Sequence, residues 1–246
     1  MTLSMRVVVF ASQKGGSGKT TLAGHVAVQA ELAGAGPVAL IDTDPQGSLA
    51  KWWNTREAAY PAFIHSVFTN LVHDLDEARA QGFKLVVIYT PPAVTKAISE
   101  VIGFADLVVL PTRPSPHDLR AVGPTIDICQ ARKKPMIFVL NAATARARIT
   151  MEAAVALSQH GTVAPATIHN RTDFAASMID GRTVQEVEPD GKSAEEVSAL
   201  WDYIYQRLLR TEGAEMVVKE NVQLVPVTRH VNALGRPVQA FGRRAV

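Results

Sequence analysis

Five short runs of Val, Ile and Leu restrict this chain more than any other feature: RVVVFA (6–11), PVALID (37–42), KLVVIY (84–89), DLVVLP (106–111) and PMIFVLN (135–141). TVAPATIH (162–169) is a weaker sixth. A strand with one wet face alternates apolar and polar residues. These runs do not, and continuous apolar runs of this length are what strands buried on both faces of a parallel sheet look like. Helix-like stretches fill the gaps, at 19–34, 47–58, 69–81, 94–103, 116–132 and 150–160. The alternation predicts an α/β fold, a mostly parallel sheet flanked by helices on both faces. SAEEVSALWDYIYQRLLR (193–210) has Val197, Leu200, Trp201, Ile204 and Leu208 at helical spacing, and Ser193 with Glu196 fits a capping box. It is expected to close the domain.

An apolar fraction of 47% over 246 residues is enough for one sizeable core and short for two. The expected division is a domain over 1–211 and an appended, partly disordered tail over 212–246. That tail carries Pro226, Gly235, Pro237 and Gly242 and has poor periodicity. Cys129 is the single cysteine, so a disulfide framework and a cysteine-based metal site are excluded. A net charge of +2 does not announce a nucleic-acid binder, so any basic surface must come from local clustering. No apolar run has the length of a membrane span or of a secretory signal, and the sequence predicts a cytoplasmic protein.

The first strand runs straight into QKGGSGKTT, residues 13–21, and a helix follows from Lys19. Strand, glycine-rich loop, Lys-Thr and helix in that order are the context of a phosphate-binding loop. Gly15, Gly16 and Gly18 let backbone N–H groups approach an anion closely, and the helix N-terminus adds partial positive charge. The nucleotide-binding set is therefore Gly15, Gly16, Ser17, Gly18, Lys19, Thr20 and Thr21. Lys19 is expected on the β- and γ-phosphates and the Thr20 hydroxyl on Mg²⁺. The fold class sharpens to a P-loop NTPase-like sheet. The strict pattern wants glycine at position 13, where this chain has Gln13, and the loop carries a second lysine, Lys14.

KGGSGKT (14–20) resembles the deviant Walker A loop of the ParA/MinD family of ATPases, and IDTDPQGSLAKW (41–52) is similar to the family's DxDPQ switch segment. The resemblance runs from about Arg6 to Arg210 and is closest in look to small ParA-like proteins without an N-terminal helix-turn-helix domain. It implies an ATP-dependent homodimer in which Lys14 reaches the partner's nucleotide in trans. It further implies that Asp44 positions the attacking water and that Asp42 supports the Mg²⁺ shell. PTRPSPHDLRAVG (111–123) looks like the family segment that brings Asp118 near the nucleotide across the interface. One departure stands out. LVVIYTPP has Tyr89 where the family has its Walker B aspartate. A phenol is uncharged at neutral pH, so it cannot supply the negative charge. Tyr89 is either a natural substitution in a slow or nucleotide-locked switch, or an engineered change; both predict slow hydrolysis.

Asn141 ends the fifth strand, where the family places a residue near adenine; capping a helix or turn is the equal alternative. No NKxD sequence occurs, which favours ATP over GTP. Arg146, Arg148, Arg171 and Arg182 gather in the region where ParA-like proteins hold DNA nonspecifically, with a solvated charged face as the competing explanation. The implied function is a nucleoid-associated switch that partitions or positions a cargo such as a plasmid, a chromosome region or a protein cluster, with an activating partner protein or cargo adaptor. The alternatives are a hydrolysis-impaired nucleotide-binding scaffold and a MinD-like membrane-associated regulator. Pro226 and Pro237 argue against the long amphipathic helix that a membrane role needs.

Overall fold

The computed structural model describes residues 4–93 and 95–221, with side chains through Arg210. Its strands are β1 (Arg6–Phe10), β2 (Val38–Asp42), β3 (Ala62–Phe63), β4 (Leu85–Tyr89), β5 (Leu107–Thr112), β6 (Met136–Leu140) and β7 (Thr162–Val163). They form one sheet in the order β3-β2-β4-β1-β5-β6-β7, and every pairing is parallel. The helices are α1 (Lys19–Leu32), α2 (Ser48–Trp53), α3 (Leu71–Ala80), α4 (Lys96–Phe104), α5 (Pro116–Ala121), α6 (Gly123–Ala131), α7 (Arg148–Ser158), α8 (Thr172–Ser177), α9 (Val184–Val187) and α10 (Lys192–Asn221). The chain divides into two compact units, Met1–Arg210 and Thr211–Val246. Expectations for the chain beyond Asn221, including its order and any membrane role, lie outside the described residues. Among the described residues no helix is long and apolar enough to cross a membrane.

The continuous apolar runs explain the layering. Successive strand residues point to opposite faces. Val8, Phe10, Leu40 and Val87 join α1 and α10 on one face; Val7, Val9, Ile41, Val86 and Ile88 join α3, α4, α6 and α7 on the other. Val197, Leu200, Trp201, Ile204 and Leu208, the expected face of the closing helix, are all buried in the first cluster. Each central strand therefore needs apolar residues at successive positions through its middle.

Three local expectations are corrected. The stretch 116–132 is two helices, because Pro124 lies in the first turn of α6. Proline removes an N–H and its ring clashes with the carbonyl four residues back, so the helix from Pro116 cannot pass through. The sixth run forms only the two-residue β7, and Pro165 has no N–H to extend a ladder. The edge strand β3 was not foreseen. Its two paired residues follow Pro61 in an apolar run, Ala62–Ile64, too short to read as a strand.

Ile204 is completely buried between α10 and the sheet. Replacing it by alanine is expected to destabilise the domain by about 2–5 kcal/mol, the usual range for truncating a buried Ile. Denaturant unfolding of Ile204→Ala at constant slope checks this; a loss under ~1 kcal/mol would mean α10 does not close the core.

Candidate functional site

Parallel strands all end at the same edge of the sheet. Phe10 of β1 and Asp42 of β2 are each in register with Tyr89 of β4 between them. The chain leaves these ends as the loop after β1, the DTDPQ segment after β2 and TPP after β4, so sequence-distant groups converge there. This is the carboxyl edge at which open α/β sheets bind ligands.

The loop has the shape of an anion cradle. Gly16 and Gly18 hold left-handed conformations, with φ of 74° and 95°, and Gly18 is the N-cap of α1. Open space surrounds the missing side chains of Gly15 and Gly16, whereas a Cβ on Gly18 would lie 1.9 Å from the Asn141 amide nitrogen. That amide nitrogen donates to the Ser17 carbonyl at 2.7 Å. Asn141 thus buttresses the phosphate loop. The Ser17 hydroxyl is buried with no partner among the described residues, a donor suited to a phosphate oxygen.

The two lysines face different ways. Lys19 is buried, and its ammonium donates to the carbonyls of Ser12 at 3.1 Å and Lys14 at 3.3 Å. It also lies 5.7 Å from the centre of the Tyr89 ring. Burial pulls its pKa down to about 8, against the opposing pull of the Asp44 carboxylate. Lys14 turns outward. Its ammonium pairs with Asp118 Oδ2 at 2.6 Å, and its side chain is 39% exposed against 5% for Asp118. Ser115 caps α5 by accepting from the Asp118 N–H, while its hydroxyl donates to Asp118 Oδ2. The sequence reading missed this cap, although the S-x-x-D spacing signals it; nothing in the spacing of Lys14 and Asp118 signals their pairing.

The carboxylates after β2 are not equivalent. Asp42 Oδ1 accepts from Asp44 N at 2.9 Å, and its Oδ2 accepts from Leu49 N at 2.9 Å and Ala50 N at 3.0 Å. Asp42 therefore holds the first turn of α2, where negative charge suits the helix. Burial pushes its carboxyl above the usual carboxylate range, and the charge of Asp44 adds to this, against the pull of the three N–H groups. Asp44 is buried; its Oδ1 accepts from Gln46 N at 2.9 Å, and its Oδ2 faces the Tyr89 hydroxyl at 3.5 Å. The Tyr89 phenol also contacts the Thr20 hydroxyl; burial, then the two carboxylates, keep it protonated by raising its pKa. Beside Asp42 and Asp44 opens a groove of about 450 Å³ that His65, Ser66, Val67 and Asn70 help to wall. The sequence reading missed this wall because β3, which delivers it, was invisible.

The candidate DNA arginines are mostly engaged within the chain. Arg148 pairs with Glu152 at 2.7 Å, Arg171 with Glu196 at 2.6 Å and Arg182 with Asp180 at 2.6 Å. Arg146 is exposed and holds a left-handed conformation, and among the described residues it has no ion pair. The Arg148 and Arg182 pairs are solvent-exposed, and such pairs are worth little. A phosphate can displace the carboxylate in them. Arg171 is less exposed and shares Glu196 with His169.

This geometry is that of a P-loop nucleotide site, and comparison with known proteins gives its family. The chain belongs to the CobQ/CobB/MinD/ParA nucleotide-binding family, whose model matches residues 8–184. It is 31% identical over 194 residues to the Maintenance of carboxysome distribution protein A of Halothiobacillus neapolitanus, covering 75% of this chain and 88% of that one. It is 37% identical over 122 residues to Protein ParA of Rhizobium radiobacter, covering 46% of this chain and 51% of that one. Its fold is similar to that of the ATP complex of a Cyanothece McdA variant, at TM-score 0.68 and 18% identity, over 86% of this chain and 97% of that one. It is also similar to the cell division ATPase MinD of Pyrococcus furiosus, at TM-score 0.66 and 18% identity, over 82% and 98% of the two chains. The family is one of P-loop ATPases.

Two outcomes follow from the loop. In the free protein Lys19 loses its proton on passing a pH of about 8. Phosphate needs the ammonium, so above that pH binding must take a proton back up, and affinity falls. Linkage allows up to about tenfold per pH unit. A fluorescent ATP analogue titrated from neutral to alkaline pH should show this slope, and Lys19→Met should flatten it. Gly18→Ala should abolish binding, since its Cβ meets Asn141 at a φ that alanine resists.

Proposed function

We propose that this chain is a ParA-like positioning ATPase: an ATP-dependent dimerising switch that binds DNA nonspecifically and distributes a cargo. The observation that carries it is the division of labour between the loop lysines. Lys19 sits in its own phosphate loop, while Lys14 is turned away onto Asp118 and half in solvent. In this reading one lysine serves the chain's own phosphate and the other a neighbour's. The name of one relative, a carboxysome distribution protein, supports a cargo-positioning role.

In this reading ATP is the substrate. Backbone N–H groups of residues 15–18 and the Lys19 ammonium hold the phosphates, and Asn141 keeps the loop in shape. Mg²⁺, when bound, neutralises developing charge on the phosphates, and the Thr20 hydroxyl and the nearby acidic oxygens suit such a hard cation. Asp44 orients the attacking water, and Lys14 of a second copy stabilises charge on the transferred group. Delivering Lys14 means breaking its pair with Asp118. A fully buried pair loses ~3–5 kcal/mol when one partner leaves. Lys14 is partly in water, so its loss is smaller, but it still sets a threshold that ATP and the second copy must overcome. DNA contacts through Arg146, Arg148, Arg171 and Arg182 would be made to phosphates, carry no sequence information and weaken with salt. A partner protein triggers hydrolysis, and the chain is nucleoid-associated. A hydrolysis-impaired scaffold is the second reading, and a specific observation favours it: Tyr89 puts a neutral phenol against Asp44.

ATP turnover of the wild type and Tyr89→Asp, each with and without nonspecific DNA at low and high salt, separates the two. The switch predicts acceleration by DNA at low salt, and Tyr89→Asp faster than wild type by ~10–100-fold, the usual loss for a missing partner around a metal. No response to DNA in either form favours the scaffold. Equal turnover of the two forms would remove any role for Tyr89 in the rate. Asp118→Asn should form more dimer with ATP than wild type by light scattering, because it weakens the hold on Lys14.

A further inference from the structure

A divalent cation beside this phosphate loop needs hard, negatively charged oxygens near the Thr20 hydroxyl. The ends of β2 and β4 and the segment just beyond β2 bring three oxygen-bearing side chains to that place: Asp42, Asp44 and Tyr89. Their hydrogen bonds distinguish them. Tyr89 is a neutral phenol with no charge to offer. Asp42 has both oxygens committed to three backbone N–H groups, and two of those bonds fix the start of α2. Turning Asp42 toward a metal would strip the first turn of that helix. Asp44 is different. Its Oδ1 is held by Gln46 N, and its Oδ2 has only the Tyr89 hydroxyl at 3.5 Å, too long for a strong bond. It is buried and close enough to Lys19 to act on that ammonium.

Resting on the ATPase reading, we infer that Asp44 Oδ2 is the carboxylate that anchors the Mg²⁺ water shell in this chain, beside the Thr20 hydroxyl, and that Tyr89 is a positioning residue which aims it. Asp42, for which the family resemblance implies that duty, instead caps α2. The assignment gives one carboxylate two tasks. While Asp44 holds the metal's water it is less available to the attacking water, which deepens the expectation of slow turnover. It also gives Tyr89 a positive role. Its phenol faces Asp44 Oδ2 at 3.5 Å and lies near enough to the Thr20 hydroxyl to be influenced by it, between the two groups that would meet the cation. Phenylalanine there would keep the ring under Lys19 and lose that bridge.

The test is Mg²⁺-dependent tightening of a fluorescent ATP analogue, read as the ratio of dissociation constants in EDTA and in Mg²⁺ and requiring no turnover. Wild type should show a clear ratio. Asp44→Asn should lower it by ~10–100-fold, the usual effect of removing a partner of a metal's ligands. Adding Tyr89→Asp to Asp44→Asn should restore the ratio by returning a carboxylate to the same place. Tyr89→Phe alone should lower it by less than Asp44→Asn does. An unchanged ratio in Asp44→Asn overturns the assignment. So does an equal loss in an Asp42→Asn variant with wild-type melting temperature. If the wild type binds no ATP analogue in either buffer, the ATPase reading itself falls and takes the assignment with it, an outcome distinct from ATP binding that ignores position 44.

Discussion

The register of three central strands is the constraint on which everything else in this molecule depends. With β4 between β1 and β2 and all three parallel, Phe10, Tyr89 and Asp42 end level. The phosphate loop, the acidic segment and the phenol thus meet without long loops. A one-residue slip of β2 would turn its inward and outward side chains over. The apolar residues on both faces resist that slip, because Leu40 and Ile41 are each fully buried on opposite sides of the sheet. Core packing here fixes where chemistry can occur.

The same logic extends through α2. Asp42 caps it, and Trp52 near its end lies against Gly24 of α1, where an added Cβ would come within 2.9 Å of the indole. Arg56 then stacks over Trp52 and donates to Gly181 O at 2.6 Å and to Glu186 at 2.8 Å and 3.0 Å. Glu186 has its carboxyl held below the usual range by Arg56 and Thr183, in spite of burial. The acidic segment is therefore pinned at both ends. Between the pins lie Asp44, Pro45, Gln46 and Gly47, and Gly47 holds a left-handed conformation. Any adjustment of the Asp44 carboxylate to a ligand has to be absorbed in those few residues.

What the sequence revealed and what it hid divide along physical lines. Signals confined to neighbouring residues were readable: the two-face apolar strands, the glycine loop before Lys19, and the i, i+3, i+4 face of α10 from Val197 to Leu208. Pro124 was also readable, and its consequence was missed because apolar spacing carries on through 116–132 on either side of the break. Pairings between distant segments were not readable. Lys14 finds Asp118, Asn141 finds Ser17 and Arg56 finds Glu186 only because the strand order brings them together. Asp42 shows the limit most clearly. The family resemblance implies a place in the Mg²⁺ shell, and nothing in the sequence reveals the three N–H groups that its carboxylate also accepts from.

Those pairings also define what ligand binding has to change. Before any phosphate arrives, each loop lysine already has oxygen partners: Lys19 the carbonyls of Ser12 and Lys14, Lys14 the carboxylate of Asp118. Phosphate oxygens therefore exchange with existing contacts rather than adding to bare charges, and the net gain is the difference between the two sets. The exchange is unequal. The Ser12 and Lys14 carbonyls released by Lys19 are neutral oxygens. Asp118 is buried and, once Lys14 leaves, keeps only Ser115 and has a second oxygen that is already unpartnered among the described residues. Lys19 can therefore engage its own nucleotide readily, whereas Lys14 is held back until a further interaction makes up for the carboxylate it leaves. For the proposed switch, the order of events, own phosphate first and neighbour second, follows from which oxygen each lysine must abandon.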